Sequence, residues 1–166
     1  ERVLSMVDGV LLLVDAVDGP MPQTRFVTQK AFERGFTPLV VINKIDRDGA
    51  RPGWVLDQTF DLFDKLGASN AQLDFPVVYA SALKGYAGLE PAVRAGDMVP
   101  LFEAIVRHVP APQVELNGPL QLQVSSLDYS SYVGVLGIGR ISRGVATAGS
   151  SIALVRRDGT VRTEQL

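Results

Sequence analysis

Cysteine is absent from all 166 residues. That excludes a disulfide scaffold, a thiolate metal site and a cysteine nucleophile. Histidine and tryptophan occur once each, at 108 and 54, so no histidine-rich metal centre can be built from this chain. The longest aliphatic run, Val10 to Val14, is far short of the ~20 residues that span a bilayer. No secretory leader is evident, and a cytoplasmic location without a membrane partner is expected. A large excess of either charge is also missing. The 16 Lys+Arg stand against 18 Asp+Glu, for a net −2, too little to mark the whole chain as a binder of nucleic acid. With 46% apolar residues, the chain has the ordinary globular balance and enough length to bury a core. It begins with Glu1 rather than Met and is read as an excerpt of a longer protein.

Three unbroken apolar runs stand out: Val10-Leu11-Leu12-Leu13-Val14, Pro38-Leu39-Val40-Val41-Ile42 and Pro76-Val77-Val78-Tyr79-Ala80. Such runs have the texture of parallel strands buried on both faces. Helical spacing fills the gaps. Residues 21–34 place Phe26, Val27, Ala31 and Phe32 near one face, and Gly35 stops the pattern. Residues 53–66 carry Val55, Leu56, Phe60, Leu62, Phe63 and Leu66. Residues 97–109 carry Leu101, Phe102, Ile105, Val106 and Val109, and residues 1–7 read as the end of a helix. The order predicts an α/β fold with a parallel sheet and helices on both faces.

Near residue 110 the texture changes. His108-Val109-Pro110-Ala111-Pro112 closes the last helix, and 113–118 reads as a linker. Thereafter the period is two. Leu120, Leu122, Val124 and Ser126 alternate with polar residues, Val133 to Ile141 is a glycine-broken strand, and Asp158-Gly159 marks a hairpin between 151–155 and 160–163. Glycines 134, 137 and 139 suit a sharply coiled strand, so 119–166 reads as the start of a small antiparallel barrel. Residues 118–166 carry five basic and three acidic residues, a mildly basic balance.

Ligands of an open parallel sheet bind beyond the carboxyl ends of its strands. The residues there are Asp15 to Gly19, Asn43-Lys44-Ile45-Asp46 and Ser81-Ala82-Leu83-Lys84. The carboxylate of Asp46 offers two acceptors. Guanine offers two adjacent donors, N1–H and the 2-amino group. Adenine offers a bare N1 there, leaving a desolvated carboxylate unpaired at a heavy cost. Asn43 can bridge the base edge and the neighbouring loops, and the aliphatic stem of Lys44 can lie along a purine face. The Ser81-Ala82 loop, on the next strand, can donate a backbone N–H to guanine O6, a bond that adenine's amino group cannot accept. Asp15 and Asp18 are read as turn residues rather than metal ligands. His108 suits a helix C-terminus, Trp54 reads as packing, and Phe60/Phe63 and Phe102/Ile105 read as core.

The pair Asn43-Lys44-Ile45-Asp46 and Ser81-Ala82-Leu83 resembles the last two motifs of GTP-binding proteins. Leu12 to Gly19 is similar to translational GTPases. Asp18-Gly19-Pro20-Met21-Pro22-Gln23-Thr24-Arg25-Phe26-Val27 and the stretch from Leu66-Gly67-Ala68 to Ser81-Ala82 resemble the BipA/TypA family of ribosome-associated GTPases; Val135 to Gly144 resembles the barrel that follows their G domain. The resemblance implies the C-terminal part of a P-loop-type G domain over 1–112, a linker over 113–118 and an incomplete β-barrel over 119–166. It implies guanine contacts at Asn43, Lys44, Asp46, Ser81, Ala82 and Leu83. It also implies GTP/GDP with Mg and ribosomal RNA or ribosome binding in the parent. No G-x-x-x-x-G-K-[ST] occurs in the sequence; in the family that motif and the catalytic residues lie upstream of Glu1. No catalytic or metal residue is therefore assigned, the excerpt is expected to be inactive in hydrolysis, and bare strand edges are expected to make it self-associate. The competing readings are a non-enzymatic RNA- or protein-binding module, motivated by the basic residues of 118–166, and a different doubly wound enzyme using Asp15 or Asp46.

Overall fold

A computed structural model of the chain describes residues 3–166. The chain divides into two compact units, Val7–Ala111 and residues 1–6 with Pro112–Leu166. In the first, strands β1 (Leu11–Asp15), β2 (Leu39–Asn43) and β3 (Val77–Ser81) run parallel in that spatial order. A short strand, β4 (Tyr86–Gly88), pairs antiparallel on the far side of β3. All three apolar runs are thus strands, each displaced one residue from its expected start. Strand β2 is the centre: Leu39, Val40, Val41 and Ile42 are all buried, as a strand covered on both faces requires.

Helices α1 (Pro22–Phe32), α2 (Pro52–Lys65), α3 (Asn70–Leu73) and α4 (Val99–His108) fill the connections. The three longer helices each carry a proline in their first two positions, where the missing N–H would have had no helical partner anyway. The left-handed Gly67 (φ +75°) follows α2, a backbone state that a side chain would strain. The turn α3 and the strand β4 are too short to leave a periodic signal. Ser69 caps α3 by accepting from Gln72 N at 3.3 Å.

The core has two layers, one on each face of the sheet. Leu12, Val14, Val40, Ile42, Val55 and Phe63 form one. Phe63 is fully buried and meets Phe32 and Phe75 edge-on at 5.0 and 4.7 Å between ring centroids. Leu39, Val41, Val78, Ala80 and Ala87 form the other, under Ala104, Leu101 and Ile105 of α4. Several expected core positions face outward instead. Phe26 and Val27 of α1 are exposed, and Thr28 and Ala31 are the residues of α1 that are buried. Phe60 and Phe102 are exposed as well. Val27, Phe60 and Phe102 are each one helical position off the face that meets the sheet, a rotation of about 100° that a pattern of adjacent apolar residues does not resolve, and Phe26, two positions from Thr28, is on the opposite side of α1. The expected helix end over 1–7 is a 3-10 turn over Val3–Ser5, and residues 1 and 2 lie outside the described residues.

The second unit is antiparallel. Strands β5 (Gln121–Ser130) and β6 (Gly134–Arg143) form one ribbon, β7 (Ser151–Val155) and β8 (Val161–Gln165) another. Among the described residues these ribbons are separate two-stranded sheets. A Cβ on Gly139 would lie 2.0 Å from the carbonyl oxygen of Gln123, so only glycine lets the irregular β5–β6 pairing approach this closely. Asp158-Gly159 forms the β7–β8 turn, where Asp158 accepts from Thr160 N and Oγ1 at 2.9 and 2.7 Å.

Among the described residues, Thr28 Oγ1 is the buried side-chain oxygen with no hydrogen-bond partner. Thr28→Val removes that hydroxyl and keeps the shape, so it is expected to leave stability unchanged or raise it by up to about 1 kcal/mol. Phe63→Ala empties the aromatic cluster and is expected to cost about 3–5 kcal/mol. Urea unfolding midpoints check both.

Candidate functional site

The parallel register aligns the ends of the three strands. Asp15 pairs across from Asn43, and Asn43 from Ala80. The polar residue that ends each apolar run therefore stands at one level along the sheet. Ala16 N donates to Asn43 O at 2.8 Å and Ile45 N to Ala80 O at 3.3 Å, carrying the alignment one residue beyond the strands.

Asn43, Lys44, Ile45 and Asp46 leave β2 in a tight turn. Ile45 is buried in the core and anchors the turn, leaving the polar residues on either side of it to face the surface. Lys44 holds φ +66°, the one left-handed residue other than glycine among the described residues, a conformation that a side-chained residue keeps only when its surroundings enforce it. Asn43 Oδ1 accepts from Lys44 N at 2.8 Å and from Ala82 N at 3.0 Å. One side-chain oxygen thus ties the β2 loop to the β3 loop, 39 residues on. The expected Ala82 N–H is at the site, but it is committed to Asn43; a base oxygen must share it or displace Asn43.

Asp46 lies within hydrogen-bonding reach of the buried Ser81 hydroxyl, which donates to its carboxylate. Ser81 Oγ in turn accepts from Lys84 N at 3.2 Å. Lys84 Nζ stands 3.9 Å from Asp46 Oδ2, whose side chain is only 10% exposed. The Ser81 bond first, then the Asp46 backbone N–H and the charges of Lys84 and Arg47, outweigh desolvation and hold the carboxyl below its ordinary 3.8. Asp46 is therefore a charged double acceptor at neutral pH. Leu83, by contrast, is 91% exposed and its side chain stands clear of the cluster.

Two of the strand-end residues named from sequence, though given no role in reading the base, join the cluster. Lys84 is one. The other is Asp15, which accepts from Lys44 Nζ at 2.6 Å and from Val17 N and Asp18 N at 2.8 and 3.4 Å, with Arg47 at 3.9 Å. Burial pushes its pKa up, but these donors, Lys44 foremost, bring it below 3.8. The sequence reading of Asp15 as a turn residue stands, and register adds a partner: Asp15 ends the neighbouring apolar run at the level of Asn43. Among the described residues no three His, Asp or Glu side chains are grouped to hold a metal. Trp54 lies beside Gly19, with the Arg51 guanidinium stacked over it at 4.1 Å. His108 is in the last turn of α4, as its sequence position implied. No helix among the described residues is long and apolar enough to cross a membrane.

Both carboxylates bind protons more weakly in the folded chain than in the unfolded one. Their stabilisation is full above about pH 4 and is lost as pH falls through the folded values. Ser81→Ala removes the largest lowering influence on Asp46. The Asp46 carboxyl is then expected to titrate at higher pH, and the loss of stability toward acid to become shallower. Carboxyl 13C shifts across pH 2–6 measure the first, and denaturation midpoints over the same range the second.

The chain matches the family model of the elongation factor Tu GTP binding domain over residues 1–111. Over 98% of its length it is 65% identical to a large ribosomal subunit assembly factor BipA from Haemophilus influenzae. Over its whole length it is 61% identical to that of Escherichia coli K12 and 55% to that of Buchnera aphidicola. It spans 26–27% of the length of these curated relatives.

Proposed function

This chain belongs to the family of the elongation factor Tu GTP-binding domain, and on that premise we propose that it is the guanine-reading part of a ribosome-associated GTPase. The observation that carries the reading is the joined pair of loops. Asp46 presents two acceptor oxygens to N1–H and the 2-amino group of guanine. The main chain of Ala82, whose N–H is shared with Asn43, and of Leu83 would serve guanine O6. Asn43 locks one loop to the other, and the methylenes of Lys44, whose side chain is 48% exposed, cover a face of the base. The whole reading rests on a charged Asp46. A neutral carboxylic acid would present a donor to a donor.

The domain reading follows the same premise: a G-domain portion over 1–112, a linker over 113–118 and barrel strands over 119–166. The residues described here fit the base of GTP or GDP. The sequence contains no G-x-x-x-x-G-K-[ST], and we assign the phosphates, Mg and hydrolysis to other parts of the parent protein. The 166-residue chain by itself is accordingly expected to show no turnover of GTP above buffer background. In the parent, the bound nucleotide supplies the switch between ribosome-binding states, and the name of the relatives, large ribosomal subunit assembly factor, supports a ribosomal partner in the cytoplasm.

Strand β1 is at the edge of its sheet, and Leu13 on it is 61% exposed. Unpaired strand edges bearing apolar side chains recruit other chains. The 166-residue chain alone is therefore expected to self-associate. Light scattering that gives a monomer mass at every concentration contradicts this.

Asp46→Asn, placed in the full-length GTPase, tests the base assignment. An amide turns one acceptor into a donor, which opposes the 2-amino group of guanine and matches the 2-oxo group of xanthine. GDP binding is expected to fall at least about a hundredfold, and xanthosine diphosphate binding to appear. Equal GDP binding by both proteins, or by neither, would favour the reading as an RNA- or protein-binding module.

A further inference from the structure

The guanine reading leaves one ion pair, half-exposed at its lysine end, without a task. Asp15 ends β1, beside β2 but outside both base-reading loops, and its carboxylate takes the Lys44 ammonium at 2.6 Å. That carboxylate is itself fixed. Its side chain is 12% exposed, and it accepts from the backbone N–H groups of Val17 and Asp18. Gly19 N returns to Asp15 O at 2.9 Å, closing the turn beneath it. Lys44 is the opposite case, a long side chain, 48% exposed, on a left-handed backbone. Free in solution such a side chain samples many rotamers, and ordering it at binding costs affinity.

We propose that Asp15 is a positioning residue for nucleotide binding. It holds the Lys44 ammonium on the β1 side, so that the Lys44 methylenes are ordered before the purine arrives. This rests on the reading of the Asn43–Asp46 loop as the base site, and it adds a member from outside both base-reading loops. It also separates two roles. Asp46 faces the hydrogen-bonding edge and selects the base. Asp15, acting through Lys44, supports a stacking surface that any purine shares. Loss of Asp15 therefore weakens binding without relaxing selectivity.

The test uses the full-length GTPase and equilibrium titration with fluorescent GDP, with ADP as competitor. Asp15→Asn and Lys44→Met are each expected to weaken GDP binding about tenfold, with guanine still preferred over adenine. The double variant is expected to be no weaker than either single one, because both remove the same tether. Asp15→Glu, which keeps a carboxylate, is expected to bind more tightly than Asp15→Asn. A purely structural Asp15 would give additive losses in the cycle, and additivity overturns the proposal. So does Asp15→Asn binding GDP within about twofold of wild type, a difference below what loss of a charged hydrogen bond produces. Should Asp15→Asn not fold, the exposed Lys44→Met carries the test: an unchanged GDP affinity overturns the proposal. Asp46→Asn, run in parallel, separates the two claims. If it leaves guanine preference intact, the base assignment fails and this inference fails with it. If it shifts preference while Asp15→Asn behaves as wild type, only the role of Asp15 falls.

Discussion

Strand register is the constraint on which the site depends. A parallel sheet shifted by one residue would exchange the faces of every side chain and break both core layers. Leu12 and Val14 must face Val55 and Phe63, and Val41 and Val78 must face α4. Once that packing fixes the register, Asp15 and Asn43 stand in line, with Ala80 and Ser81 at the neighbouring strand end. The polar ends cannot be misaligned without unfolding the apolar middle. The core thereby sets the geometry of a surface site that it does not touch, except through Ile45.

Above that platform, beyond the Ile45 anchor, the loops are held by ions and hydrogen bonds. Asn43 spans from its own loop to Ala82, Ser81 holds Asp46, and Asp15 holds Lys44. Each is a short polar side chain, with few rotamers to lose, gripping either a backbone N–H or a longer partner. Charge is divided in the same way. Two aspartates kept ionised by their donors alternate with Lys44, Lys84 and Arg47, so the cluster carries a small positive excess while its two carboxylates remain acceptors.

The elements legible in the sequence were those whose signal is local and long enough to count. Buried parallel strands declare themselves as unbroken Val, Ile and Leu runs, and the three longer helices by period and by Gly35 and Gly67 at their ends. The facing of α1 was misjudged because Phe26 and Val27 outrank Thr28 in hydrophobicity, while it is Thr28 that meets the core; a buried threonine leaves no mark in a hydrophobic pattern. Strand β4 and helix α3 were missed because three or four residues carry no period. Asn43, Asp46 and Ser81 were legible because their motifs sit at strand ends. Asp15 and Lys84 were not assigned to the site, because their partners are set by register across the sheet rather than by spacing along the chain. Leu83 belongs to the motif, and its exposed side chain leaves only its backbone to act.

In the proposed function, the loops after β2 and β3 together read guanine. Hydrogen–deuterium exchange of the full-length GTPase, compared with saturating GDP and with ADP at the same concentration, tests it most directly. Slowed exchange is expected in peptides covering residues 43–47 and 81–85 with GDP, and no change there with ADP. Equal protection by both nucleotides, or protection by GDP elsewhere with these two loops unaffected, contradicts it.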